Sequence, residues 1–321
     1  MGNRCKRGLL LALLSFPAYG AEPRAEDGAR KEYLLKYRLS VNITRELGTG
    51  GQALELTARP SNVREEPKYR SREPLYTTVS LGPNRDTFTL VLDHSKGGDR
   101  GHDLLYVDTE RTGRISSAQK FSSFLTSSGN LFGPVQFMID YGQEKSPQWF
   151  LFRLSERMEG KGHSQTLTAI NAGYYEGVVA FGDQKRRVAL VDADGNGVYN
   201  DALKGENHPC DRLLIDRVVP DRVLAGAKTQ PLGRYVVVGD RYWKLDVAAD
   251  GSSLAVQPLN KPLGTIRLGQ KDCILLLGNE ECLLRVQTTN GVARVPVGKY
   301  PWPSITIASS IPRAGAGGSR A

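Results

Sequence analysis

Thr87-Phe-Thr-Leu-Val-Leu-Asp93 begins as an alternation of polar and apolar residues, becomes continuously apolar, and is closed by an aspartate. Alternation with β-branched and aromatic content is a strand signal, and the run is too short for a buried helix. The same texture recurs outward from it, in Gln148-Trp-Phe-Leu-Phe-Arg-Leu154, Arg187-Val-Ala-Leu-Val191, Arg234-Tyr-Val-Val-Val238 and Cys282-Leu-Leu-Arg-Val286. Clusters of Gly, Asn, Asp and Pro separate these runs at short intervals, and 35 glycines and 17 prolines supply the turns. The best helical candidate, residues 115–125, is short and rich in serine. The expected fold is all-β and mainly antiparallel, with β-sandwich-like organisation.

Two stretches echo one another. The first is Val79-Ser-Leu-Gly82, then Phe88-Thr-Leu-Val-Leu-Asp93, a Gly-rich loop, and Asp103-Leu-Leu-Tyr-Val-Asp108. The second is Val179-Ala-Phe-Gly182, then Arg187-Val-Ala-Leu-Val-Asp192, a loop nine residues longer, and Asp211-Arg-Leu-Leu-Ile-Asp216. The extra residues contain the sharpest chemical feature of the chain, Asp192-Ala-Asp-Gly-Asn-Gly-Val-Tyr-Asn-Asp201.

That loop resembles the calcium loops of EF-hand and dockerin-like modules, in which ligands fall on positions 1, 3 and 5 and glycine on position 6. The resemblance implies side-chain oxygens from Asp192, Asp194 and Asn196, a sharp turn at Gly197, a backbone carbonyl from Val198, and a direct or water-bridged ligand from Asn200. A hard divalent ion takes six to eight oxygens, and alternate residues of a tight loop can aim theirs inward. The sequence departs from the EF-hand in having Leu203 at position 12 and a strand before Asp192. The missing carboxylate is expected from Asp201, Glu206, Asp211 or Asp216, with Asp216 favoured, because its strand is expected to pair beside the one ending at Asp192. Pairing of residues 187–191 with 213–216 would put the loop at a sheet end. An Asx-stabilised hairpin turn is the alternative reading. The related Asp108-Thr-Glu-Arg-Thr-Gly113 keeps acids at positions 1 and 3, but Arg111 and Arg114 oppose a cation, so a structural turn is expected there. Over residues 177–216 the chain also resembles a loose group of secreted bacterial β-rich proteins that carry such loops, which implies export and metal binding and no reaction.

The ends suggest where the chain works. Arg4, Lys6 and Arg7 precede an apolar run from Leu9 to Leu14 and a small-residue exit at Ala18-Tyr19-Gly20, the pattern of a secretory signal peptide. That run is shorter than the roughly 20 residues a membrane span needs, so none is expected. The formal charge of +9 falls to +6 once those three cations leave. Basic residues are mixed with acidic ones, and no nucleic-acid partner is expected. Cys210, Cys273 and Cys282 remain, an odd number. A tight turn at Gly278-Asn279 would put Cys273 opposite a residue beyond Cys282, which leaves their pairing open. The expected organisation is a signal peptide at 1–20, a linker at 21–30, a β-rich domain at 31–228, a β-sandwich-like domain at 229–311 and a disordered tail at 312–321. In the second domain, Val295-Pro-Val-Gly-Lys-Tyr300 resembles the edge of transthyretin-like or carboxypeptidase-regulatory modules.

No nucleophile elbow, zinc-protease helix, phosphate-cradling loop or dinucleotide fingerprint is present. His94 and His102 adjoin aspartates in the loop after Thr87-Asp93, at a spacing that matches no zinc motif. Trp149, Trp243 and Trp302, with Tyr174 and Tyr175, are core residues or a sugar-stacking platform. Asn42-Ile-Thr44 fits a glycosylation acceptor. The expectation is a secreted or periplasmic, non-catalytic protein with a calcium-binding loop and a structural or surface-interaction role, whose partner would be a glycan or a cell-surface protein. A carbohydrate-binding or carbohydrate-active protein is the alternative.

Overall fold

The computed structural model describes residues 29–40, 50–96, 101–126, 129–159, 162–204, 209–215, 218–219, 222–223, 230–239, 241–269, 273–279 and 282–306. The expected signal peptide, most of the linker, the Asn42 acceptor, Glu206, Asp216 and the expected tail lie outside the described residues. Among the described residues all the strand pairs are antiparallel, as expected for an all-β chain. The helical candidate at 115–125 is corrected. Only Ser117–Gln119 form a turn of 3-10 helix, and Lys120–Ser122 and Phe124–Thr126 are short strands. Its serine hydroxyls compete for backbone groups in a helix interior, whereas edge pairing satisfies that backbone directly.

The first core lies between two sheets. One runs Leu75–Leu81, Asp86–Asp93, Leu104–Val107, Lys120–Ser122 in chain order. The other is ordered Gln52–Leu54, Gly162–Asn171, Lys145–Glu159, Gly129–Asp140, Phe124–Thr126. Phe88, Leu90 and Leu92 from the first sheet meet Phe132, Phe137, Phe150 and Phe152 from the second. Phe137 sits edge-on to Phe88, Phe150 and Phe152 at centroid distances of 4.7, 5.7 and 6.1 Å, an arrangement that suits the ring quadrupoles. The opposite face of the first sheet is covered too. Val91, Tyr76 and Tyr106 pack there under Val63, Ile115 and Tyr69. Burial on both faces explains why Leu90-Val91-Leu92 is continuously apolar.

The second core is built from both ends of the chain. Its five-stranded sheet is ordered Gln230–Pro231, Arg212–Ile215, Gln184–Val191, Gly173–Phe181, Lys36–Leu39, and its four-stranded sheet Lys31–Leu34, Ser253–Pro258, Arg241–Val247, Tyr235–Val238. The two earliest strands are consecutive and enter different sheets. Leu35 at the joint is buried, and its N–H donates to the Ser252 carbonyl at 2.7 Å. Tyr175, Val179, Leu190 and Leu213 share this core with Trp243, Leu254 and Val256. Strands on both sides of the boundary expected at 228/229 therefore bury one another. A third core gathers Leu275, Leu277, Leu284, Val286 and Val295 against Tyr242.

The pairing expected for residues 187–191 and 213–216 is present over the described positions, with Val188 opposite Ile215, Leu190 opposite Leu213 and Val191 opposite Arg212. Cys210, Cys273 and Cys282 are buried thiols, and no disulfide forms among the described residues. Register puts Ile274 opposite Gln287, so Cys273 faces Thr288, whose N–H donates to the Cys273 carbonyl at 2.9 Å. Among the described residues, no helix is long and apolar enough to cross a membrane.

Candidate metal centre

Asp192 stands where strand Gln184–Val191 ends, and its carboxylate organises the loop that follows. Oδ1 accepts the N–H of Gly195 at 2.7 Å and of Asn196 at 3.2 Å. Oδ2 accepts the N–H of Gly197 at 2.7 Å and the side-chain amide of Asn171 at 3.0 Å. Winding three N–H groups onto one carboxylate requires left-handed backbone at Gly195 (φ 72°) and Gly197 (φ 79°). A Cβ at Gly195 would also lie 2.5 Å from the Ala169 carbonyl oxygen.

The wound loop turns acids inward. Asp192, Asp194 and Asp211 each offer one oxygen, and these oxygens lie within 4.8 Å of one another. Asp192 and Asp211 are 2% and 0% exposed. Oδ1 of Asp194 is buried with no hydrogen-bond partner, while Asn196 Nδ2 donates to Asp194 Oδ2 at 3.2 Å and to Asp201 Oδ2 at 2.6 Å. Asp211 accepts from the N–H of Asp201 at 2.8 Å and of Ala193 at 3.3 Å. Burial pushes the pKa of all three carboxyls up, and the neighbouring carboxylates push further, Asp194 on Asp192 and Asp192 on Asp211. Among the described residues no ion pair engages them. Converging carboxylates, two buried and one half-buried, with no ion-paired cation among the described residues can hold a metal ion. The orphaned oxygen of Asp194 fits a ligand to that ion.

Asp192, Asp194, Asn196 and Asn200 are all among the described residues. Asp192 and Asp194 lie with their oxygens within 4.8 Å of one another. Asn196 lies in the same loop with its Oδ1 accepting the N–H of Val198 at 2.7 Å, and Asn200 is exposed. Asp216 is outside the described residues, and the acid beside Asp192 is Asp211. Antiparallel pairing sets the start of strand Arg212–Ile215 against the end of Gln184–Val191, which brings the residue before Arg212 to the site. That rule was the available signal for Asp211. Asn171, which steadies Asp192, had no sequence signal.

The loop is wedged between the first two cores. On the first side, Gly82 N–H donates to the Asn196 carbonyl at 2.8 Å, Gly51 N–H to the Ala193 carbonyl at 3.1 Å, and the Tyr141 hydroxyl to the Gly197 carbonyl at 2.6 Å. On the second, Tyr199 N–H donates to the Ala249 carbonyl and Leu203 N–H to the Leu232 carbonyl, both at 2.8 Å. Tyr199 is fully buried, edge-on to Tyr175 at 4.9 Å, and its hydroxyl donates to Gln148 Oε1 at 3.2 Å.

The loop at Asp108 has the same winding and none of the convergence. Asp108 Oδ1 accepts Thr112 N–H at 3.2 Å and Oδ2 accepts Gly113 N–H at 2.7 Å, with Gly113 at φ 74°. Arg111 turns away to pair with Asp86. It is a turn, in keeping with the opposing arginines. Of the aromatic residues considered for sugar stacking, Trp243, Tyr174 and Tyr175 are buried and Trp149 stacks on Tyr37 at 5.3 Å, while the side chain of Trp302 lies outside those described. No protein-family model, curated protein or solved structure matches the chain.

Proposed function

We propose that this chain is an exported, non-catalytic β protein whose Asp192 loop binds one calcium ion and so stabilises the junction between its first two cores. The observation that carries the reading is the convergence of buried Asp192 and Asp211 with half-buried Asp194, with no ion pair to any of them among the described residues. The donors on offer among the described residues are carboxylate, amide and carbonyl oxygens, the ligands of hard cations. A loop closed by backbone N–H bonds to Asp192 supplies the sharp winding that calcium's larger shell tolerates, whereas magnesium demands a tight octahedron and sheds water reluctantly. The basic, apolar and small-residue zones of the first 20 residues support export, to a compartment where weak calcium sites fill.

Chelator-stripped protein titrated with calcium tests the reading. At about 1 mM calcium and a dissociation constant near 0.1 mM, linkage gives roughly 1.4 kcal/mol of added stability. For a chain of this size that raises the melting temperature by roughly 2 to 4 °C. Terbium, which takes calcium's place, should luminesce on excitation of the neighbouring tyrosines, and Asp194→Ala should abolish both signals. If millimolar calcium moves neither the melting point nor a calorimetric baseline of the wild type, the loop is only a turn.

A further inference from the structure

Strand Asp86–Asp93 runs away from the Gly82 turn that meets the acidic loop, and at its far end the hairpin to Leu104–Val107 brings two histidines together. His94 and His102 stack with ring centres 4.4 Å apart and planes 20° apart, each only 8% exposed. His94 Nδ1 lies 3.0 Å from the Gly101 carbonyl oxygen, which can only accept, so that nitrogen carries a proton. Both ring nitrogens of His102 are buried, and neither has a hydrogen-bond partner. Such a ring is held most cheaply in its neutral form, because a second proton would bring a buried charge with no acceptor for its N–H groups.

The pair sits where the hairpin is tied to the rest of the first core. Asp103 N–H donates to the Asp93 carbonyl at 3.1 Å, Ser123 N–H to the Asp103 carbonyl at 2.9 Å, and the Asn130 side-chain amide to the His102 carbonyl at 2.9 Å. Asn130 belongs to the opposite sheet, so these bonds join the two sheets at this end.

The charged groups around the rings are already engaged. Within the hairpin, Asp93 accepts the N–H groups of Arg70 and Ser71 at 3.1 and 2.7 Å, and Asp103 accepts the N–H of Ser95 at 2.6 Å and the Ser95 hydroxyl. From the segment before Leu75–Leu81, the Arg70 guanidinium donates to the Ser95 carbonyl, and Lys96 beside it is exposed. From Lys145–Glu159, Glu156 accepts the Gln165 amide at 2.8 Å. Burial first, and His94 second, lower the His102 pKa against the pull of Asp93, Glu156 and Asp103.

We propose that the stacked histidine pair is an acid-operated latch on this end of the first core. Neutral rings pack face to face and hold the hairpin end shut. Protonated rings in near-parallel planes repel, and the buried one must reach water to solvate its charge, which releases the bonds at Asp103, Ser123 and Asn130. The open form takes up protons at the ordinary histidine value of about 6.5 and the closed form only at lower pH, so closure is full above about pH 7 and weakens as pH falls below about 6.5. The opening is local, because the strand of 8 residues sets the latch roughly 25 Å from the Gly82 turn and the acidic loop.

Amide hydrogen exchange of the full chain in about 1 mM calcium reads the latch as protection factors, corrected for the intrinsic pH dependence of exchange. Each pH unit over which only the open form takes up one proton shifts the opening equilibrium tenfold, so protection at the Asp103 and Ser123 amides should fall about tenfold between pH 7 and pH 5. Protection at Leu275, in the central strand of the third core, should stay unchanged. His102→Phe fills the stack with a ring that does not titrate and should hold the hairpin amides protected down to pH 5. Should that variant fail to fold, the wild type decides, since the latch requires the His102 ring to titrate below about 6.5 in a nuclear magnetic resonance titration. Flat protection at both amides, an equal fall at Leu275, a fall that persists in His102→Phe, or a His102 ring that titrates at or above that value overturns the proposal.

Discussion

The N–H of Gly82 donates to the carbonyl of Asn196 across 2.8 Å, joining a turn of the first sheet to the middle of the acidic loop. With the Tyr141 bond to Gly197, it makes the loop's winding part of the packing between cores. A change that unwinds the loop is then felt in the stability of the whole chain.

Gly195→Ala tests that coupling. The backbone there is left-handed, and the new Cβ would press on the Ala169 carbonyl oxygen. Urea denaturation should show a loss of roughly 1 to 3 kcal/mol. Gly50→Ala, whose Cβ meets nothing within 4 Å, should stay within about 0.5 kcal/mol of wild type.

Asp211→Asn keeps the shape of the side chain and removes one of the converging charges. Calcium affinity by calorimetry or terbium luminescence should fall at least about tenfold. Asn200→Ala, at an exposed position, should change it little. Equal effects would shift the ligand set away from Asp211.

The acidic triad also sets a pH dependence. Its native pKa values are raised by burial and mutual repulsion, so the metal-free native protein holds protons that the unfolded chain releases. Stability of the metal-free form therefore falls as pH rises, from the unfolded carboxylate value of about 4 upward through the raised native values. Bound calcium removes that loss, so the melting-temperature difference between calcium-loaded and chelated protein should grow from about pH 5 to about pH 8. His102 has the opposite sign. Its pKa is lowered by burial, and its contribution is lost as pH falls through about 6.5, but it cancels in the difference. A calcium effect independent of pH would mean that the carboxyls are ionised before the ion arrives.

Trp243→Ala separates core from platform. Trp243 is 5% exposed and lies edge-on to Phe181 at 5.6 Å. Denaturation should show a loss of about 3 to 5 kcal/mol, and calcium stoichiometry should be retained. Unchanged stability would place the ring outside the core.

The strands were legible because their apolar content answers to burial on one face or two, as at Leu90-Val91-Leu92. The acidic loop was legible because Asp192, Asp194 and Asn196 lie close in sequence, and a short wound segment carries its own geometry. Asp211 was harder to place, since its position depends on register across a long intervening loop. The pairing of the earliest described strand with a distant one had no sequence signal. Lys31–Leu34 is mostly exposed and carries no strong alternation, yet it pairs with Ser253–Pro258 and closes the second core. The serine-rich segment at 115–125 took strand because neighbours offered it edges, and pairing outweighed local propensity.

That closing strand has a consequence for the order of events in folding. The Ser253 hydroxyl donates to Glu32 across a sequence separation of 221, beside the pairing of Tyr33 with Leu254. During synthesis, which proceeds from the amino end, the first core can assemble from residues 52–171, but the second waits for a partner near the far end. So large a sequence separation makes the contact slow to form. Until Ser253–Pro258 has emerged, Lys31–Leu34 has no strand to pair with and the second core stays open.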